Sequence, residues 1–341
     1  MRHQLQREIR NGQLIRLRLG TELVDEYLDF LKCRCRPNTW LNYAHDLKVF
    51  FNIIDKPVAN ITPQDIFDFI QEQRYPQPTP PETEYVSTKG VCIRTIKRRL
   101  SAISGLYDYL LTRGDTAIQR NPVPKGLTLR GQLPAGRIRS TPLLRAPRTL
   151  PQIVPVAEVQ RFLASLNTYR DKAMVLLMVL GGLRKSEVLG LELADLKETQ
   201  GTVLVKHGKG GHQRICCVAP LFFQTLNRYL DEERPVVDVG LLFLVLKGPR
   251  RGQPLSVSGL NTIIAHHRHL AQTPGLTCHR LRHTCFTMLR EAGMSLEALQ
   301  QQAGHQSINT TRIYLHLSNQ ALREEYLAVS EQLFEGEYDH D

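Results

Sequence analysis

A basic segment without regular periodicity divides this sequence into two helix-rich parts. Residues 116–150 contain Gly, Pro and spaced Arg but no sustained apolar repeat, which is typical of an extended linker. Such a linker either follows a polyanionic surface or is an ordinary solvated connection, and composition alone leaves both interpretations open. The 341 residues are enough for two domains. We therefore expect residues 1–20 to be an N-terminal extension, 21–115 a first domain and 151–341 a second.

The first part has the apolar periodicity of a compact helical domain. A helix is predicted over residues 21–34, where Leu23, Tyr27 and Leu31 share one face and Thr21 stands at the N-cap. Residues 93–114 form the longest amphipathic pattern, with apolar side chains inward and basic ones near its start. Further helices are predicted from about Pro37 to Phe51 and from about Thr62.

The second part combines helices with one short hairpin. Apolar periodicity predicts a helix that ends at Gly181 and Gly182 and a new one that begins near Lys185. The alternating segments GTVLVKH and HQRICCV flank a glycine-rich turn over residues 208–211, which is the pattern of an antiparallel hairpin. The expected fold is therefore mainly α with a small antiparallel sheet, in two domains.

The charge of the chain is positive and unevenly distributed. The formal net charge is +11. Residues 1–150 carry 24 basic and 14 acidic side chains, a net charge of +10, and the rest carry 20 and 19, a net charge of +1. Clustered Lys and Arg gain affinity for nucleic acids by displacing counterions, although basic surfaces also serve solubility or anionic membranes. We expect the first part to make the main electrostatic contact with a polyanion.

The sequence also bears on location. The first residues lack the apolar stretch of a secretory signal, and no run of about 18 apolar residues predicts a membrane span. The seven Cys are an odd and scattered set, which gives little support to a disulfide framework. We expect a soluble cytoplasmic protein with reduced thiols and no membrane partner.

The second part contains side chains suited to phosphodiester transfer. That reaction needs cations on the phosphoryl oxygens, a proton acceptor for the attacking hydroxyl and a proton donor for the leaving oxygen. Arg184 follows a Gly-Gly break directly before a helix, so a tight turn would aim its guanidinium. Lys209 lies in a Gly-flanked turn from which its amine can reach a leaving oxygen. Each is weak evidence alone, because both patterns are common.

A later segment adds the remaining groups. His279 and Arg282 are three residues apart on a predicted helix and share a face that can converge on one phosphate, whereas His283 is expected to point elsewhere, partly inward. His305 lies in a turn, and Tyr314 lies on the next predicted helix. A tyrosine at such a place is more often a half-buried core residue, and it needs cationic neighbours to become a useful nucleophile.

Taken together, four segments carry a specific resemblance. GGLRKSEVLGL, HGKGGHQRI, CHRLRHTCF and AGHQSINTTRIYLH resemble, in the correct order, the signature of the tyrosine recombinases, the family that includes phage integrases and Xer-type recombinases. The resemblance is tight from Arg184 to Tyr314. It is looser over the first part, which is similar to the family's helical, SAM-like core-binding domain, and it leaves the first 20 residues outside. Ala303 stands where the family often has Leu, which removes no catalytic group.

The resemblance implies a role for each matching residue. Arg184 and Arg282 would clamp the scissile phosphate, and His305 would donate a further hydrogen bond. His279 would assist proton transfer at Tyr314, which would form a 3′-phosphotyrosyl intermediate that preserves the bond energy for religation.

The proton donor for the departing 5′ oxygen is less sharply assigned. The resemblance gives this role to Lys209, but Lys206 and His212 are ionisable groups close to it in sequence. The choice of general acid therefore stays open.

The resemblance also implies an enzyme, a site-specific DNA recombinase of the integrase or transposase type that acts in integration, excision or resolution without a metal or another cofactor. Its implied partners are double-stranded DNA recombination sites, further copies of the chain in a tetrameric synapse, and accessory proteins. A C-terminal helix over residues 318–334 would dock onto a neighbouring copy. The expected DNA-binding side chains are Arg94, Lys97, Arg98 and Arg99.

Three other interpretations fit these residues less well. Cys278, His279, His283 and Cys285 could form a zinc site, but the Cys spacing does not fit a structural zinc knuckle and Arg282 would place positive charge beside the ion. A DNA-binding regulator of the same fold would have no reason to keep the complete set of catalytic groups. A type IB topoisomerase shares the chemistry, but the two-domain layout and the motif spacing favour recombination.

Overall fold

The computed structural model describes residues 3–10, 13–75, 90–114, 117–128, 140–145, 153–206, 208, 211–305 and 308–311. The chain divides into two compact units, Met1–Arg148 and Thr149–Asp341. The predicted Lys209, Tyr314 and C-terminal helix lie outside the described residues, as do residues 76–89 and most of the predicted linker. Among the described residues, no helix is long and apolar enough to cross a membrane.

The first unit is a helical bundle with a hairpin packed against it. The antiparallel strands are β1 (Gln6–Arg10) and β2 (Gln13–Arg18). The helices are α1 (Glu22–Arg34), α2 (Pro37–Ile53), α3 (Pro63–Arg74) and α4 (Ile93–Arg113). A short antiparallel pair, β3 (Leu127–Thr128) and β4 (Ser140–Thr141), follows.

The core of the first unit follows the predicted faces. Tyr27 and Leu31 of α1 are buried, as expected. Along α4 the buried positions recur every three or four residues, which is the apolar stripe of a helix packed on one side. These positions are Ile96, Leu100, Ile103, Leu106 and Leu110. The helix ends at Gly114 in the left-handed conformation that glycine adopts most readily.

The helix starts show which capping predictions hold. The Thr62 side chain accepts the backbone N–H of Asp65, and Asp65 accepts the backbone N–H of Thr62, which is a complete capping box. Thr21 stands at the N-cap of α1 but its side chain makes no capping hydrogen bond. Asp25 instead accepts the backbone N–H groups of Leu19, at 2.6 Å, and Gly20, at 3.3 Å. Thr21 is therefore the N-cap residue of α1, as predicted, but its side chain does not accept the hydrogen bond that an N-cap threonine usually accepts.

Two segments expected to lie outside the first domain pack on its core. Leu17 of β2 is fully buried, so the residues predicted as an N-terminal extension contribute to this unit. Leu143 and Leu144, in the predicted linker, contact the same core. Both belong to the unit that ends at Arg148, so the domain boundaries of the sequence analysis stay a prediction.

The second unit surrounds one large core with helices and a small sheet. Its helices are α5 (Val156–Ser165), α6 (Tyr169–Val179), α7 (Lys185–Leu189), α8 (Pro220–Arg228), α9 (Val257–Leu270), α10 (Cys278–Glu291), α11 (Leu296–Ala303) and α12 (Ile308–Thr311). The antiparallel sheet has the order β5 (Leu196–Lys197), β6 (Thr202–Val205) and β7 (Arg214–Cys217). The predicted hairpin and the mainly helical two-domain fold are confirmed.

The centre of the second unit is the apolar helix α6. Its residues from Ala173 to Val179 are all buried, which explains why this segment lacks a polar face in the sequence. It packs on α8 and α10. Because α6 is buried in the core, it anchors the turn that leads into α7, where the Leu183 N–H donates to the Leu177 carbonyl.

Candidate active site

A tight turn after α6 places Arg184 at the start of α7. Gly182 has φ +68°, and a Cβ on it would come within 2.5 Å of the Phe286 ring. Only glycine fits both the backbone angle and this close approach to α10. Arg184 occupies the N-cap of α7, and its side chain is 25% exposed, so it faces solvent at the site.

Glu187 is the centre of an arginine cluster. Its side chain is 1% exposed. Arg184 donates to it from the backbone N–H and from Nη1, both at 2.8 Å. Arg214 of β7 donates to its two oxygens at 3.0 and 2.8 Å, in a bidentate pair. Arg282 Nη1 lies 3.8 Å from Oε2. One carboxylate thus holds three guanidinium groups from α7, β7 and α10.

The electrostatics of this cluster leave excess positive charge. Burial alone would raise the pKa of Glu187, but the hydrogen bonds and charges of Arg214 and Arg184 outweigh it and lower the pKa to about 2. Glu187 is therefore ionised at neutral pH, and three arginines against one carboxylate give the cluster a net charge of +2. Such a site favours an oxyanion, a carboxylate or a phosphate, as its counter-charge.

Arg282 ties three segments together. Its guanidinium donates to the carbonyl of Gly182 and, at 2.7 Å, to the carbonyl of Ala303. The same group lies over the Phe286 ring, 4.8 Å from its centroid. Its side chain is only 5% exposed. The position of this arginine is therefore set by backbone groups of the turn before α7 and of the end of α11.

His305 completes the cluster beyond α11. Gly304 has φ +61°, and a Cβ on it would lie 2.7 Å from Cδ of Arg214. His305 Nε2 is 3.5 Å from Nη2 of Arg282, and its Nδ1 is 2.9 Å from the Thr311 hydroxyl. Burial, followed by the charges of Arg282 and the other two arginines of the cluster, lowers the pKa of His305 to about 4. The imidazole is therefore neutral at pH 7.

His279 and Arg282 face one cavity, as the sequence predicted for residues three apart on a helix. Together with Arg184 they line a cavity of about 560 Å³ between α7, α9 and α10. His279 is exposed, and its pKa is lowered by burial of part of the ring and by the charges of Arg282 and Arg184. Four predicted site residues, these three and His305, therefore lie around one carboxylate and one cavity.

The strands beside the predicted general acid restrict the alternatives. Lys206 donates to Glu192 at 2.6 Å and lies 2.8 Å from Asp195, so this lysine is engaged in ion pairs. These contacts raise the pKa of Lys206 through hydrogen bonds from its ammonium group to Asp195 and Glu192. Lys209 itself lies outside the described residues.

Sequence reasoning missed two residues that support the site. Arg214 and Cys216 are two residues apart on β7 and therefore lie on the same face of the strand. An Arg that shares the inward face of a predicted strand with a Cys was the signal in the sequence that could have identified Arg214. Gln302 is buried, and its side-chain amide donates to the carbonyls of Gly181 and Cys217 and accepts the N–H of Cys217. It joins α11, β7 and the turn after α6.

The predicted DNA-binding side chains of α4 have different surroundings. Arg94, Lys97 and Arg98 are exposed, and Arg98 pairs with the buried Asp46. Arg99 is 17% exposed, lies 3.8 Å from Asp46 and donates to Gln73. Burial lowers the pKa of Arg99. Arg99 is thus committed to the interior of the unit, while the other three stand on its surface.

The described residues do not support the zinc interpretation. Cys278 packs against the main core of the second unit, whereas Cys285 is buried in a separate cluster with Phe286 and Leu299. Within the described ranges, no group of three or more His, Cys, Asp or Glu is placed to hold a metal ion.

Comparison with family descriptions assigns both units. Residues 152–321 match the phage integrase family, and residues 24–114 match the phage integrase N-terminal SAM-like domain. The tyrosine recombinase XerD of Lacticaseibacillus casei is 30% identical over 308 residues, which cover 87% of this chain and 93% of the relative. XerD of Staphylococcus saprophyticus is 28% identical over 316 residues, which cover 89% of this chain and 97% of the relative.

Solved structures share the fold at lower identity. The Tn1549 transposon integrase in complex with transposon right end DNA is 18% identical, with a TM-score of 0.65, over 90% of this chain and 99% of that chain. The XerH site-specific recombinase bound to palindromic difH substrate is 24% identical, with a TM-score of 0.61, over 84% of this chain and 78% of that chain.

Proposed function

The chain belongs to the phage integrase family and is a site-specific tyrosine recombinase, and from that premise we propose how its residues divide the reaction. Arg184 and Arg282 bind the nonbridging oxygens of the scissile phosphate. The observation that carries this proposal is the cluster of three arginines on the buried carboxylate of Glu187. The carboxylate offsets one of the three charges, so the others are available to a substrate anion.

This arrangement favours the transition state. Negative charge on the equatorial phosphoryl oxygens has to be stabilised as the nucleophile approaches, and preorganised donors do so without reorganisation. Arg282 is preorganised by the carbonyls of Gly182 and Ala303, and Arg184 by Glu187. His305, which is neutral at pH 7, adds a hydrogen bond rather than a charge.

The nucleophile and the general acid are assigned by their place in the family pattern. Tyr314 attacks the phosphorus and forms a 3′-phosphotyrosyl bond, which conserves energy for religation. Lys209 protonates the departing 5′ oxygen. The ion pairs of Lys206 with Glu192 and Asp195 support this choice, since they occupy the alternative lysine.

The substrate of this reaction is a double-stranded DNA recombination site. The XerH recombinase and the Tn1549 integrase, which share this fold, were solved in complex with DNA. The exposed Arg94, Lys97 and Arg98 of α4 would bind the backbone of the duplex. Strand exchange between two sites requires four copies of the chain on DNA, with accessory proteins as further partners, and a DNA substrate fits a cytoplasmic location.

The clamp is tested by comparing strand cleavage with DNA affinity. Arg184→Ala and Arg282→Lys should each slow single-turnover cleavage by about 10²–10³-fold, because they remove stabilisation that is strongest in the transition state. DNA affinity, measured by fluorescence anisotropy, should fall far less. Arg228→Ala serves as the control, because Arg228 is the exposed last residue of α8 and pairs with the exposed Glu232. Equal losses of cleavage and affinity would contradict the clamp.

A further inference from the structure

A pair of histidines on α10 makes a direct contact beside the arginine cluster. His279 and His283 are one helical turn apart, and their Nε2 atoms are 2.9 Å from each other. The ring planes are nearly perpendicular, at 83°, with centroids 4.3 Å apart. This distance is that of a hydrogen bond between the two rings. His283 is half-buried, in keeping with the partly inward direction that the sequence predicts, but its ring contacts His279 rather than pointing elsewhere.

A hydrogen bond between two neutral imidazoles couples their tautomers. Each neutral ring has one N–H donor and one acceptor nitrogen, so one Nε2 must carry the proton and the other must accept it. If His279 donates from Nε2, its Nδ1 carries a lone pair and can act as a base. If His279 accepts at Nε2, its Nδ1 carries a proton and cannot act as a base. The tautomer of His283 and the ability of His279 to act as a base are therefore coupled.

Partial burial, followed by the neighbouring positive charges, lowers the pKa of both rings and so disfavours their protonation. The positive charges of Arg282, on the same helix, and of Arg184, at the N-cap of α7, oppose protonation of His279. His283 also interacts electrostatically with His305 beyond α11. Burial, the neighbouring His279 and Arg282 lower the pKa of His283 to about 4. His283 therefore keeps an unprotonated acceptor nitrogen at neutral pH. The more exposed His279 is the ring that reaches the cavity.

We propose that His283 is a positioning residue that accepts the Nε2–H of His279 and so fixes the tautomer whose Nδ1 lone pair receives the phenol proton of Tyr314. The inference rests on the proposed function. As the bond between the Tyr314 oxygen and phosphorus forms, the phenol proton passes to Nδ1 of His279. The bond from phosphorus to the 5′ oxygen breaks, and that oxygen takes its proton from the separate general acid. The His279 imidazolium then donates from Nε2 to His283 until religation returns the proton.

The test uses variants that separate shape from hydrogen bonding. His283→Phe keeps a ring but has no acceptor, whereas the Oε1 of His283→Gln can accept the same N–H. We expect His283→Phe to cleave a nicked suicide substrate about 10–100-fold more slowly. We expect His283→Gln to stay within about threefold of the parent protein. His269→Gln, on the exposed part of α9, is the matched control and should cleave at the parent rate.

The pH profile separates this role from a structural one. An acceptor at Nε2 favours the His279 imidazolium, so its loss in His283→Phe should move the acid limb of the cleavage profile to lower pH. A variant that only perturbs packing would lower the cleavage rate on the pH plateau and leave the pH of the acid limb unchanged. A substrate with sulfur at the 5′ bridging position needs no leaving-group proton, so it should not restore His283→Phe. Rescue by that substrate, an unmoved limb, or a His283→Gln variant as slow as His283→Phe would overturn the inference.

A second measurement does not depend on the variants folding. Nitrogen-15 shifts of the histidine rings in the parent protein at pH 7.5 distinguish the two tautomers, and we expect His279 to carry its proton on Nε2. A proton on Nδ1 would overturn the inference. If the parent protein forms no covalent DNA adduct, the proposed function fails. If it forms one and His283→Phe cleaves at the parent rate with an unmoved limb, the inference alone fails.

Discussion

Glu187 is the residue on which the arginine cluster depends. Three guanidinium groups share its buried carboxylate, and two of them, those of Arg214 and Arg282, are themselves less than 10% exposed. Removal of the carboxylate charge would leave these two cations buried without an opposite charge. The free-energy cost of such an unpaired buried charge is larger than the net stabilisation that the intact pair contributes.

Glu187→Gln should therefore lower the free energy of unfolding by about 3–5 kcal/mol, the usual cost of breaking a buried ion pair. Urea denaturation followed by circular dichroism measures the change. The control is Glu192→Gln, whose half-exposed side chain pairs with Lys206 and should contribute no more than about 1 kcal/mol. Equal effects of the two substitutions would contradict the structural role of Glu187.

The individual site residues differ in how far the sequence could predict them. Arg184, His279, Arg282 and His305 stand in recognisable motifs, and the structure brings them together. The role of Gln302 depends on contacts with Gly181 and Cys217, which are distant in sequence. No local periodicity encodes such contacts, so these supporting roles emerge only from the folded chain.

At the scale of elements, α4 carries both a core face and a basic surface. Lys97 and Arg98 are exposed on it, whereas Arg99 is turned into contacts with Asp46 and Gln73. These three consecutive basic residues in the sequence therefore do not form one uniform surface. The helical period of 3.6 residues separates them.

Substitutions along α4 should accordingly have different effects. Lys97→Ala should weaken DNA binding and reduce the slope of log affinity against log salt by about 0.9, the contribution of one phosphate contact. Arg99→Ala should instead lower the urea midpoint, because it removes partners of the buried Asp46 and Gln73. Anisotropy titrations between low and moderate salt distinguish the two. An unchanged slope for Lys97→Ala would show that α4 does not bind the duplex.

The elements that the sequence predicted well are those with a strong apolar period. Helices α1, α2 and α4 begin and end close to the predicted residues, and α3 begins where predicted, because their inward faces repeat every three or four positions. The β1 strand escaped prediction because all five of its residues are exposed and show no alternation. Its pairing with β2, rather than its own pattern, defines it.

At the scale of the whole molecule, half-buried histidines make stability depend on pH. The pKa of His283 and of His305 is about 4, below the ordinary value of 6.5. Below pH 6.5 the unfolded chain takes up protons that the folded chain does not, so the free energy of unfolding falls as the pH falls toward 4. Glu187 adds little above pH 5, because its stabilising contribution is lost only as the pH falls below its ordinary pKa of 4.5.

Between pH 7.5 and pH 5 we therefore expect the free energy of unfolding to fall on the order of 2 kcal/mol, allowing for partial exposure of both rings. Urea midpoints at the two pH values measure this change. His305→Gln should reduce the difference, since an amide does not titrate. A midpoint that is the same at both pH values would contradict neutral burial of these histidines.

The central claim is that this chain joins itself to DNA through Tyr314. The most direct test incubates the protein with nicked suicide substrates made from candidate sites flanking its gene and then identifies the DNA-linked peptide by mass spectrometry. We expect a covalent adduct in which a 3′ phosphate is attached to Tyr314, and none with Tyr314→Phe at unchanged DNA affinity. An adduct that persists in Tyr314→Phe, or intact binding of the parent protein to a cognate site without any adduct, would contradict the account.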